Sequence, residues 1–157
     1  SSNCPMTAVG GTPCDGSNPP EFLNSLIAVV EMQGADGRWL PVDKGTLLRA
    51  GAATIKMRAT VVNLAEPRWL APRRPQEPQT GEVFLAVETG GKRSLVAIPA
   101  DVPYMRETVV GPFEIEAPAG EPAHIRLRMT ARARSDFGNR FDFSLSRAGA
   151  TGKINVK

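Results

Sequence analysis

Ile125-Arg126-Leu127-Arg128-Met129-Thr130-Ala131 alternates apolar and polar residues without a break. Successive side chains on an extended strand point to opposite faces, so this stretch has one greasy side and one wet side. Ile55-Lys56-Met57-Arg58-Ala59-Thr60-Val61 repeats the pattern, and so does Phe141-Asp142-Phe143-Ser144-Leu145. Strands of this kind bury their apolar half against a second sheet. The expected fold is therefore all-β, an antiparallel β-sandwich whose polar faces are left to solvent or to a partner.

Outward from these three stretches the chain reads as further strands and turns. Leu26-Ile27-Ala28-Val29-Val30 is an apolar run dense enough for a strand covered on both faces. The Gly34 to Gly37 turn then leads to a short strand around Trp39, which Pro41 places on an edge. Leu47-Leu48 and Gly51 precede the long strand from Ala53 to Asn63. Gly90-Gly91 between Glu82–Glu88 and Arg93–Ile98 predicts a tight hairpin, since two glycines suit the twist of a two-residue turn. Gly111 to Pro118 is a further strand, expected to hairpin through Ala119-Gly120-Glu121-Pro122 into the Ile125 strand. A turn at Ser135 to Asn139 precedes the Phe141 strand, and a last short strand is expected at Lys153 to Val156. The tally is eight or nine strands in one domain, residues 21–157. The segment from Leu64 to Gly81, with Pro67, Pro72, Pro75 and Pro78, stands out as long, irregular and a place for function.

Composition narrows the classes. At 157 residues and 41% hydrophobic the chain can bury one core without a metal. No stretch approaches the apolar run of about 20 residues that crosses a bilayer. The charge of +3 comes from 19 basic and 16 acidic residues, an excess too small for a polycation, so no nucleic-acid partner is expected. Residues 1–20 are rich in Gly, Pro, Ser and Asn and read as an arm or linker carrying both cysteines, Cys4 and Cys14. A disulfide between them would tie down the arm by on the order of 2–3 kcal/mol, with free thiols as the alternative. A metal site lacks ligands there, because the sole histidine is the distant His124. Paired cysteines imply an oxidising compartment, so the expected location is secreted or periplasmic. Ser1-Ser2-Asn3 shows no charged-then-apolar leader, so any signal peptide is expected to have been removed or left out of this sequence.

Met57-Arg58-Ala59-Thr60-Val61-Val62-Asn63-Leu64, followed by Trp69, Ile98-Pro99-Ala100-Asp101-Val102 and Phe113-Glu114-Ile115-Glu116-Ala117-Pro118, resembles a bacterial pattern. Ig-like accessory modules, of the four-tryptophan type and of the kind found beside sugar-processing enzymes, have a strand ending in v-N-x-G, then a Trp, then a later aP before a closing hairpin. Leu64-Ala65 stands here in place of the usual Thr/Leu-Gly. The resemblance runs from about Ala52 to Leu145 and implies an exported Ig-like sandwich that works beside something else, without catalysis.

Among residues able to carry recognition, Trp39, Trp69 and Tyr104 are the large aromatics with a polar handle, and such rings can serve as platforms for sugars. Trp69, with Arg68 beside it, is the leading platform, and the alternative for each Trp is a core plug. Arg126, Arg128 and Arg132 share one wet face and match carboxylates or sulfates. Glu114 and Glu116, on the strand expected to precede them in the hairpin, are their alternative partners. His124 with Met57 and Met129 is thin material for copper, and methionine is a common core filler. For catalysis, no motif surrounds His124, and pairs such as Glu114 with Glu116 or Asp101 with Glu107 have no separation readable from sequence. The expectation is a non-catalytic module without cofactor or metal. Its ligand-binding residues would be Trp69, Arg68, Tyr104, Arg126 and Arg128, and its partner a carbohydrate or a cell-envelope protein. The alternative is a structural or adhesion subunit that associates through strand edges with itself or a partner protein.

Overall fold

The computed structural model describes residues 22–148. Its elements are nine strands: β1 (Ser25–Gln33), β2 (Trp39–Pro41), β3 (Leu47–Ala50), β4 (Thr54–Asn63), β5 (Val83–Thr89), β6 (Lys92–Ala97), β7 (Glu107–Glu116), β8 (Ala123–Ala131) and β9 (Asp136–Arg147). They form a four-stranded sheet ordered β2-β1-β4-β7 and a five-stranded sheet ordered β3-β9-β8-β5-β6. All pairings are antiparallel except that of β3 with β9. The 1–20 arm, Cys4, Cys14 and the strand expected near the C-terminus lie outside the described residues.

The inner faces of the two sheets share one core, in which Met57 and Val61 of β4 meet Leu127 and Met129 of β8, Leu85 of β5, and Phe143 and Leu145 of β9. The three alternating stretches supply most of it, and β4 runs exposed or half-buried against buried from end to end. Truncating any one of these side chains to Ala would cost about 2–5 kcal/mol. Met57 and Met129 are thus core residues. The Gly90-Gly91 hairpin forms as expected, with Thr89 opposite Lys92 and both glycines at positive φ, which a β-carbon would resist. β2 is an edge strand, as Pro41 requires.

Four expectations change. First, β1 is buried on one face only. A bulge at Ala28 shifts the phase, so Ile27 and Val30 both turn inward while Leu26 and Val29 stay exposed. Second, Leu47 to Ala50 is itself a strand, paired parallel to β9. Third, β7 and β8 do not form a hairpin, because Ala119 to Pro122 carries the chain from one sheet to the other. Glu114 lies opposite Lys56 and Glu116 opposite Thr54, so neither borders the β8 arginines. Fourth, the start of the Pro-rich segment is firmly held. Asn63, buried at the end of β4, donates to the carbonyls of Pro67 (3.0 Å) and Val102 (2.9 Å), and its Oδ1 accepts from Ala65 N (3.0 Å). Trp69 and Val102 then exchange backbone hydrogen bonds. Residues 73–80 remain exposed.

The sheets close on each other where β1 meets β9. Ser25 Oγ donates to Phe137 O at 3.4 Å, and Asn139 Oδ1 accepts from Ile27 N at 2.8 Å. Gly138 sits between them at a φ of 79°, where a β-carbon would fall 2.7 Å from Ser25 O.

Candidate functional site

Each expected binding residue has a definite place, and they do not form one site. Trp69 is completely buried, its ring edge-on to Phe137 with centroids 5.7 Å apart. It therefore offers no face to a sugar, and its assignment as a platform is corrected to a core residue. Trp39 is half-buried beneath the Arg58 guanidinium, 4.3 Å from the ring centroid, and Arg58 is in turn held by Glu31 at 2.8 Å. Arg68 lies 3.4 Å from Asp101, a carboxylate that also accepts from Ala71 N and Arg73 (both 2.9 Å) and so anchors the Pro-rich segment. Tyr104 is 50% exposed in the turn closed by Arg106 N and Pro103 O, where Met105 has a φ of 65°. Trp69, Arg68 and Tyr104 sit at the end of the sandwich where β4 finishes, Trp39 is at the far end of β1, and Arg126 and Arg128 are on the outer face of the five-stranded sheet.

That outer face is an arginine layer. Register places Glu88 of β5, Arg126 of β8 and Asp142 of β9 in one row, with Arg93 of β6 beyond Glu88. Arg126 Nε donates to Asp142 at 2.9 Å, and His124 Nε2 lies 3.2 Å from the same oxygen. Arg93 grips Glu88 and reaches across the twisted sheet to Asp136, 2.6 Å from each. Arg132 pairs with the buried Glu82 at 2.9 Å and lies 5.2 Å from the Phe84 ring centroid. Although they face outward, Phe84, Ala86 and Thr130 are buried within this layer. The hydrogen bond from Arg93, and a weaker one from Thr130, hold the Asp136 carboxyl below its ordinary value, and Asp136 raises Arg93 in return. Asp142 raises Arg126 in the same way.

The expected charge pairing thus exists, but its acids come from β5 and β9 and not from β7. Asp142, two residues before the Ser144 that lies opposite His124, carried no signal in the sequence beyond the alternation itself. Arg128 and the exposed Arg140 of β9 are the exceptions on this face, with no ion-pair partner among the described residues. The Arg128 Nε is buried without a hydrogen-bond partner.

His124, Asp142 and Ser144 share the face, and a hydroxyl, an imidazole and an acid are the ingredients of nucleophilic catalysis. The imidazole points at Asp142, Ser144 Oγ makes no hydrogen bond to it, and the His124 side chain is 59% exposed. Among the described residues no group of three or more His, Cys, Asp or Glu is placed to hold a metal ion. No helix of the described residues is long and apolar enough to cross a membrane. No protein-family model matches the chain, and comparison with curated proteins finds no match.

Proposed function

We infer that this protein is an exported, non-catalytic Ig-like binding module that attaches to an anionic carbohydrate of the cell envelope through the outer face of the five-stranded sheet. The Ig-like reading is supported by the strand order, in which β3 runs parallel to β9 at one edge while β1 joins β4 in the opposite sheet. Export is supported by the two cysteines of the arm.

The observation that carries the ligand class is Arg128. In a layer where Glu88, Asp136, Asp142 and Glu82 pair Arg93, Arg126 and Arg132, Arg128 has no ion-pair partner among the described residues, and although its Nε is buried its terminal amino groups remain for an outside acceptor, with the exposed Arg140 of β9 on the same face. Carboxylate and sulfate match the guanidinium fork. Calorimetry with polygalacturonate and with dextran tests this reading. Polygalacturonate should bind in a salt-dependent manner, Arg128→Gln should weaken it about tenfold, and dextran should not compete for this face. Equal binding by wild type and Arg128→Gln would remove the arginine layer from the function.

A second reading, a subunit that associates with copies of itself, is favoured by one observation. Val29, Thr60 and Val109 form a row on the outer face of the four-stranded sheet, and Leu26, Val29 and Val109 there are each more than 40% exposed. Light scattering separates the readings: a monomer at all concentrations supports the binding module, and a concentration-dependent series of oligomers supports the subunit.

A further inference from the structure

Opposite the β1–β9 seam the sandwich is open. β6 pairs only with β5 and β7 only with β4, so two strand edges face each other across a gap. Between them lies a cleft of about 660 Å³, within the range of roughly 300–1,000 Å³ that small ligands occupy. Its floor is the end of the core, where Val87, Ile115 and Ala117 are buried. The polar lining differs in kind from that of the arginine layer. Thr54, Thr89 and Ser94 bring hydroxyls, Lys92 brings an ammonium, and Glu114 and Glu116 bring carboxylates. None of these six side chains has a hydrogen-bond or ion-pair partner among the described residues. Arg147, which also lines the cleft, donates to Ala117 O at 3.2 Å.

We propose that this cleft binds a neutral, hydroxyl-rich saccharide unit. Two cations, Lys92 and Arg147, stand against two anions, Glu114 and Glu116, so the cleft is formally neutral and selects against a polyanion and a polycation alike. A sugar hydroxyl both donates and accepts. It can donate to the carboxylates at the outer rim of β7, accept from Lys92 and do either with Thr54, Thr89 and Ser94. Side chains already free of internal partners lose no intramolecular hydrogen bond when a ligand arrives, which the paired arginines of the outer face would have to do. The inference does not rest on the arginine-layer reading, because the two surfaces share no acid or base named in either argument.

The test is amide chemical-shift mapping of the full ¹⁵N-labelled chain with cellotriose, maltotriose and N,N′,N″-triacetylchitotriose, each at millimolar concentration. At least one trisaccharide should move the amides of Thr54, Thr89 to Ser94 and Ile115 to Ala117. The double variant Glu114→Gln, Glu116→Gln and the cleft-filling Ser94→Trp should each weaken that binding about tenfold, with Arg128→Gln retaining it. Absence of shifts with all three sugars, shifts confined to the arginine layer, or shifts unchanged in both cleft variants would overturn the proposal. If polygalacturonate binding is lost in Arg128→Gln while the trisaccharide shifts persist, the cleft stands and is separate from the arginine layer. If trisaccharide shifts are lost in Arg128→Gln as well, the separate cleft falls.

Discussion

The two long sides of this sandwich are built in opposite ways. Where β1 meets β9, Ser25 and Asn139 bond across the sheets and Gly138 leaves no room for a methyl group. Where β6 faces β7, the two strand edges are not paired and six polar side chains have no partner among the described residues. Buried polar groups are costly unless bonded, so the closed side and its adjoining end commit theirs to one another. At the open side water can satisfy the same chemical groups, and a ligand can replace that water. The difference assigns stability to one side and recognition to the other, and substitutions should separate them.

The largest effect is expected at Asn63, where three buried hydrogen bonds converge. Asn63→Ala leaves the Pro67 carbonyl and the Ala65 amide unsatisfied, while Val102 O keeps its bond from Trp69 N, and should cost about 3–5 kcal/mol in urea unfolding. A loss below about 1 kcal/mol would mean that the loop carrying Trp69 is not held from this residue.

Gly138→Ala comes next. The added β-carbon would overlap Ser25 Oγ and lie 2.7 Å from Ser25 O, at a φ that non-glycine residues rarely adopt. About 2–3 kcal/mol should be lost, and Ser25→Gly in the same chain should recover part of it. Purely additive effects of the two changes would break the picture of a tight seam.

How much of this was legible in the sequence depends on how local the cause is. β4, β8 and the Phe141 stretch of β9 were readable because a single buried face imposes a period of two on their residues. The same rule misreads β1, since the bulge at Ala28 joins two half-patterns of opposite phase into what looks like one continuous apolar run. β3 has only four residues and pairs with a strand about a hundred positions away, which no local pattern encodes. Ala119 to Pro122 shows the same ambiguity in a turn: Gly and Pro mark a reversal without saying whether it stays in one sheet. The site follows suit. Asn63 was visible as part of a strand-end pattern, but its three bonds depend on Pro67 and Val102 arriving from elsewhere. The cleft depends on which strands lie at the edges, and so on the whole topology.

Asp136 probes the arginine layer, intermediate between the two sides. Its carboxyl is held below the ordinary value near 3.8, chiefly by Arg93. A depressed folded value means that the stabilisation is complete above the ordinary value and is lost as pH falls through the folded one. Both groups are about a third exposed, so Asp136→Asn should cost no more than about 1 kcal/mol at neutral pH. The gap between wild type and variant should close as the pH is lowered below about 4. A gap that widens in acid would mean that Asp136 is not held ionised by Arg93.

The smallest effect is expected at the open side, and its smallness is the sharpest check on the comparison. Glu114 and Glu116 project from an edge strand, are exposed, and have no ion-pair partner among the described residues. Glu114→Gln with Glu116→Gln should therefore leave the unfolding free energy within about 0.5 kcal/mol of wild type, as surface changes away from packed features do. Lys56 lies opposite Glu114 in register, so the same measurement at low salt asks whether a long-range attraction contributes. A loss above about 1 kcal/mol that salt abolishes would show that the β7 acids serve the fold. In that case the cleft would not be a reserve of unused polar groups, and the division between a stabilising side and a recognising side would fail at the place where it is most clearly drawn.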